Sequence, residues 1–149
     1  MNISEKINEA IKQAMKEKQK DKLEALRAVK TAFTLARSEK GATSELSDAE
    51  ELKIIQKLVK QRKDSATIYI AQKRYDLAEI EEKEAEYIKE YLPGQLTEEE
   101  LEGYLKELIS KLGASGMKDM GRVMSQATTE LSGKADGKLI SGIVRKYLQ

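Results

Sequence analysis

Pro93 is the only proline in this chain of 149 residues, and both stretches it separates read as helix. Proline has no N–H and pushes the residue before it out of helical geometry, so a helix must end at Leu92. Gly94 follows, and then Thr97 with Glu100 three residues on. That spacing is a capping box: the threonine accepts from a free backbone N–H and the glutamate returns the bond. Asp76 and Glu79 repeat the pattern, which predicts that Asp76 caps the helix running to Leu92. The predicted fold class is all-α. An N-terminal bundle of four helices spans 1–92, a small three-helix domain spans 97–149, and 93–96 link them.

Apolar spacing supports the helices one by one. Ile3, Ile7, Ala10, Ile11, Ala14 and Met15 form a first stripe. A second helix starts near Asp21 and is apolar around most of its circumference (Leu23, Leu26, Val29, Phe33, Leu35), as expected of a helix with several neighbours. Gly41–Leu46 reads as a surface loop. Ser47 or Asp48 caps a third helix with Leu52, Ile55, Val59, Ala66 and Tyr69 on one stripe, and Ile54, Leu58 and Ile68 beside it. The fourth carries Leu77, Ile80, Tyr87, Ile88 and Tyr91. Beyond Pro93, the fifth helix turns Leu101, Leu105, Leu108 and Leu112 inward and stops at Gly113. The sixth carries Met120, Val123, Met124, Ala127 and Leu131, its methionines read as core filler. Asp136 caps the seventh, which carries Leu139, Ile140, Ile143, Val144, Tyr147 and Leu148. Gly121 and Gly142 fall within helices, where glycine costs about 1 kcal/mol relative to alanine. Close approach of another helix is the expected reason.

Arg62 and Glu84 break otherwise apolar stripes of the third and fourth helices. A buried charge is tolerated only with a partner. A structural ion pair is therefore expected between Arg62 and Glu84, with Glu81 as the alternative acid.

Charge is segregated although the net charge is only +1. From Asp76 to Glu102 carboxylates far outnumber Lys83 and Lys89, and the run Glu79, Glu81, Glu82, Glu84, Glu86 reads as a solvated face. After Gly103 the balance turns positive through Lys106, Lys111, Lys118, Arg122, Lys134, Lys138, Arg145 and Lys146. A local basic patch on a near-neutral protein can bind nucleic acid, with strong salt dependence. There is no cysteine and no histidine, which removes disulfides, thiol nucleophiles, histidine bases and the usual zinc ligands. No phosphate loop is present: GASG at Gly113–Gly116 lacks the Gly-Lys-Ser/Thr end. Nothing holds substrate phosphates for a magnesium site. No cofactor and no metal are expected, and no catalytic residue is assigned. No apolar run suits a signal or a membrane span, so the expected location is cytoplasmic.

GRVM (Gly121–Met124) followed by SGKADGKLISGIVRKYL (Ser132–Leu148) resembles the closing signature of the GatB/YqeY family. KQRKDSATIYI (Lys60–Ile70), RYDLAEIEEKEAEYIKEYLP (Arg74–Pro93) and LRAVKTA (Leu26–Ala32) match its YqeY-like members, so the resemblance covers nearly the whole chain. Lys73 stands where many relatives carry glycine, a departure that weakens any role for a sharp backbone turn there. The resemblance implies an all-helical protein whose C-terminal part is similar to the tail domain of the B subunit of the tRNA-dependent amidotransferase. Related modules are attached to glutaminyl-tRNA synthetases. In those proteins the tail contacts tRNA while the chemistry lies elsewhere.

The expected function is therefore a tRNA-binding accessory module of translation, associated with glutamine-dependent amidotransfer and without its own catalytic centre. Its expected phosphate contacts are Lys118, Arg122, Lys134, Lys138, Arg145 and Lys146. Amidotransferase or aminoacyl-tRNA synthetase components are the implied protein partners. One alternative is a protein-interaction adaptor that docks through the acidic fourth helix. The other is a carbon–nitrogen ligase with glutamine as amido-N-donor, a label attached to the family through the amidotransferase.

Overall fold

The computed structural model describes residues 2–41 and 44–149. Ala42 and Thr43, within the predicted Gly41–Leu46 loop, lie outside the described residues. The protein is all-helical, with no strand among the described residues. The elements are α1 (Ile3–Lys16), α2 (Lys20–Lys40), α3 (Asp48–Ala71), α4 (Tyr75–Lys89), α5 (Glu98–Lys111), a 3-10 turn (Met117–Asp119), α6 (Met120–Glu130) and α7 (Gly137–Leu148). Two compact units divide the chain, Met1–Leu92 and Pro93–Gln149.

In the first unit, α2 packs against α1, α3 and α4. Its buried Ala25, Leu26, Val29 and Phe33 join Ile7 and Ala14 of α1, Ile55 and Val59 of α3, and Ala85 and Ile88 of α4 in one core. Burial of a large apolar side chain stabilises by about 1.5–3 kcal/mol, so these stripes dominate the energetics of the unit. The face of α4 differs from its predicted stripe. Ala78, Ala85 and Ile88 are buried, whereas Ile80 is 54% exposed. Ile80 lies roughly 200° around the helix from Ala78, and two small alanines, not the larger isoleucine, meet the neighbouring helices. Ile68 is likewise exposed, pointing away from the stripe that buries Ile55, Val59 and Ala66.

The helix ends follow local chemistry. Asn2 caps α1 and Ser47 caps α3, each in a reciprocal box with the glutamate three residues on. Thr97 caps α5 in the same way: its hydroxyl accepts from the Glu100 N–H at 3.1 Å, and the Glu100 carboxylate accepts the Thr97 N–H at 3.4 Å. Asp136 caps α7 by accepting the Lys138 N–H at 3.2 Å. Asp76 does not cap α4. The helix begins two residues earlier than an Asp76 cap would have it, with Arg74 at the cap position and Asp76 already inside the first turn, where its carboxylate faces the Arg74 Nε at 3.4 Å.

The reason lies at the end of α3. Lys73 takes φ +60°, and the Arg74 N–H reaches back to the Tyr69 carbonyl at 2.8 Å while the Lys73 N–H bonds that of Ile70 at 3.0 Å. This left-handed closure reverses the chain sharply, contrary to the expectation drawn from lysine at this position, and leaves Arg74 as the residue from which α4 starts. Lys18 closes α1 in the same manner at φ +57°, and Gly113 closes α5 at φ +63°. Only the last position has the residue that adopts this conformation without steric cost.

In the second unit, Leu101, Leu105 and Leu108 of α5 meet Val123, Ala127 and Leu131 around α6, and Ile140, Ile143, Val144 and Leu148 of α7. Met120 and Met124 pack at the edge of this core. Residues 95 and 96 are tied into this unit: the Gln95 side-chain amide donates to the Gly133 carbonyl at 2.6 Å, and the Leu96 N–H donates to that of Lys134 at 3.0 Å. Gly121 and Gly142 are not helix contacts. A Cβ added at either meets nothing within 4 Å, so no described neighbour requires glycine there.

Candidate nucleic-acid interface

The six cations of the second unit expected to contact phosphate fall into two sets. Arg122 and Lys146 are committed to partners. One Arg122 Nη donates to the Leu112 carbonyl at 2.9 Å, and the other lies 3.4 Å from Asp119. The side chain thereby ties the end of α5 to the start of α6. The Asp119 carboxyl is held below its ordinary value, first by the Ser115 N–H and then by Arg122.

Lys146 lies 3.0 Å from Glu102 on α5, and the Tyr147 hydroxyl donates to the same carboxylate at 2.5 Å. The tyrosine hydroxyl and then Lys146 lower the Glu102 carboxyl, while Glu102 raises both Lys146 and Tyr147. Lys106 and Lys146 each approach the Tyr147 ring, at 5.7 and 5.5 Å from its centroid. This knot joins α5 to α7. Sequence reasoning missed it because Glu102 belongs to the acidic run and is separated from Lys146 by most of the unit.

Lys118, Lys134, Lys138 and Arg145 form the second set. All four are exposed, and their side chains make no ion pair within 4 Å among the described residues. Lys134 and Lys138 flank the Asp136 cap, and Lys138 and Arg145 stand on the solvent side of α7, seven residues apart. The preceding turn is less open than its glycines suggest. Gly133 is buried and its carbonyl is taken by Gln95, so it offers no backbone approach. Gly137 is exposed.

In the first unit, Arg62 Nε lies 3.6 Å from Glu84 Oε2, both side chains about one-fifth exposed at 19%. That separation is too long for a hydrogen bond, and Arg62 Nε is buried without a hydrogen-bond partner. The contact is Coulombic. Burial raises the Glu84 carboxyl, Arg62 opposes the rise, and Glu81 and Glu24 add to it. No ion pair joins Arg62 to Glu81 among the described residues. An acidic cleft of about 170 Å³ opens beside this pair, lined by Asp21, Glu24, Asp76, Glu79, Ile80, Lys83 and Glu84.

Glu51 is a further charged group that the sequence reading passed over. It is 2% exposed, and the Ser4 hydroxyl of α1 donates to it at 2.5 Å. The spacing Glu51, Ile55, Val59 carries the same signal that marked Arg62. Among the described residues no cluster of three acidic, histidine or cysteine side chains is arranged to hold a metal ion. Among the described residues, too, no helix is long and apolar enough to cross a membrane.

Helices with a core of their own in each unit define an all-helical protein, and its second unit, with eight basic and eight acidic side chains, carries exposed cations that make no ion pair among the described residues. A family model described as "Yqey-like protein" matches residues 4–148, and the chain belongs to that family. It is also similar to the E subunit of Glutamyl-tRNA(Gln) amidotransferase from Thermococcus gammatolerans, 41% identical over 58 residues, covering 36% of this chain and 9% of that protein. This amidotransferase relative thus carries the letter E, where the sequence resemblance pointed to B. "Altered inheritance of mitochondria protein 41, mitochondrial" is 37% identical over 101 residues in Vanderwaltozyma polyspora, covering 63% of this chain and 55% of that protein. Its counterpart in Clavispora lusitaniae is 37% identical over 83 residues, covering 54% and 49%. The chain spans about half the length of these mitochondrial relatives and about a tenth of the amidotransferase relative.

Proposed function

We propose that this protein is a tRNA-binding accessory module for glutamine-dependent tRNA amidotransfer, with the chemistry performed by a partner. The observation that carries the reading is the 58-residue similarity to an amidotransferase named for glutamyl-tRNA(Gln). The unpaired cations of the second unit supply the attraction that a phosphate backbone needs. In this reading residues 1–92 act as a four-helix bundle and 97–149 as a three-helix tail domain joined through 93–96. Lys118, Lys134, Lys138 and Arg145 make the phosphate contacts. Arg122 and Lys146 hold the helices that carry them. The sequence has no cysteine for a glutaminase centre, no serine–lysine amidase signature and no nucleotide loop, and in this reading the amide-transfer chemistry belongs to the partner rather than to an intrinsic carbon–nitrogen ligase. In this reading the module works in the compartment where its tRNA is aminoacylated, proposed to be the cytoplasm.

A second reading, a protein adaptor, is favoured by a separate observation. Tyr75 and Ile80 are 63% and 54% exposed amid the carboxylates of α4, a combination that suits a basic amphipathic partner. Crosslinking in cells, followed by sequencing of the bound RNA and identification of bound proteins, separates the two. Enrichment of tRNA together with amidotransferase or synthetase components is expected. Recovery of proteins with no tRNA above background would overturn the first reading in favour of the adaptor.

A further inference from the structure

We infer that a phosphodiester backbone seats on the solvent side of α7, with Gly142 as its floor and Lys138 and Arg145 as the walls; this rests on the tRNA-binding reading above. Glycine inside a helix is destabilising, because it loses the most backbone freedom on folding. A protein contact normally explains its presence. At Gly142 none does, since an added Cβ meets no described atom within 4 Å.

Gly103 of α5 and Gly121 of α6 are equally open, so openness alone does not select a surface. Their neighbours do. One turn from Gly103 stand Glu99, Glu100, Lys106 and Glu107, and one turn from Gly121 stand Met117, Lys118, Met124 and Ser125. Gly142 has a basic residue one turn away on both sides, Lys138 before and Arg145 and Lys146 after. Lys146 is drawn to Glu102 at 3.0 Å, whereas Lys138 and Arg145 are exposed and make no side-chain ion pair or hydrogen bond among the described residues.

Residues seven apart on a helix share a face and stand roughly 10 Å apart along the axis. Gly142 falls between them on that same face. A side chain at this position would lift a docked backbone off the helix, while its absence lets both cations close on phosphates from either side. Asp136 occupies the N-terminal end of α7 with its carboxylate on the Lys138 N–H, so the seat is the flank of the helix and not its end.

The test is an electrophoretic shift of the full chain against bulk tRNA at low salt, with thermal melting of every variant. Gly142→Gln should weaken binding at least tenfold while melting at the same temperature as the wild type or higher. Gly103→Gln, the same change on α5, should bind within twofold of the wild type. If Gly142→Gln melts lower, Gly142→Ala carries the comparison, with binding expected to weaken about threefold or more. Lys138→Gln and Arg145→Gln should each flatten the dependence of log affinity on log salt by about 0.7–0.9. A wild type that fails to bind tRNA overturns both the proposed function and this seat. A wild type that binds, with Gly142 variants that bind equally well, overturns the seat alone.

Discussion

Replacing Arg62 by methionine isolates the physics of the contact between α3 and α4. Methionine keeps most of the volume of the arginine stem and removes the charge. At 3.6 Å, with an effective dielectric near 20, the Coulomb term with Glu84 is about 4–5 kcal/mol. It offsets a desolvation penalty large enough that the Glu84 carboxyl still sits above its ordinary value. Breaking a buried pair costs about 3–5 kcal/mol. Here Glu84 can shed its charge by taking a proton, so about 2–3 kcal/mol is expected at neutral pH.

The sign with pH follows from the raised carboxyl. Protonated Glu84 favours the folded state. That contribution is fully present below the ordinary carboxylate value and is lost as pH rises through the raised folded-state value. Arg62→Met raises the carboxyl further, so its deficit should be largest at neutral pH and shrink as pH falls through the raised folded-state value. Denaturant unfolding of wild type, Arg62→Met, Glu84→Leu and the double variant at two pH values measures this. The double variant should be much milder than the sum of the singles. Strictly additive singles, or a deficit independent of pH, would refute the coupling.

Lys73→Gly should stabilise by about 1 kcal/mol, since the residue sits at φ +60° where a Cβ is disfavoured; no gain in unfolding midpoint would mean the turn is not left-handed. Ser4→Ala should destabilise by about 1–3 kcal/mol, the cost of leaving a buried polar group without its hydrogen-bond partner, because it strips a donor from the buried Glu51; an unchanged denaturation curve would contradict that contact. Glu102→Gln should weaken acid dependence: the lowered carboxyl contributes stability above its unfolded-state value that is lost as pH falls through the depressed folded-state value. A melting profile across pH 2–5 identical to that of the wild type would remove Glu102 from the knot with Tyr147 and Lys146.

What the sequence disclosed depended on the size and reach of each signal. Leucine stripes such as Leu101, Leu105 and Leu108 specified their buried face because large side chains dominate the transfer energy. Ala78 and Ala85 did the same work on α4 silently, and Ile80 drew attention to the wrong side of that helix. Gly113 announced its turn because glycine is the easy residue there, whereas Lys73 and Lys18 make the same turn against their own preference and were invisible. Arg62 and Glu84 could be singled out because each charge interrupts an apolar stripe. The Glu102, Lys146 and Tyr147 knot could not, because it joins residues more than forty positions apart and each is ordinary in its local context. For the interface, composition gathered the cations, but only the coordinates separate Arg122 and Lys146, which are engaged, from Lys134, Lys138 and Arg145, which are not.

The central claim is that bare cations of the second unit bind a tRNA backbone, and its salt dependence tests that most directly. Affinity of the full chain for bulk tRNA should be measured across a salt series, alongside Lys134→Glu combined with Lys138→Glu. With up to four phosphate contacts, the slope of log affinity against log salt should be roughly −3, and the double charge reversal should abolish binding. A flat salt response, or binding indifferent to the reversal, would contradict the account.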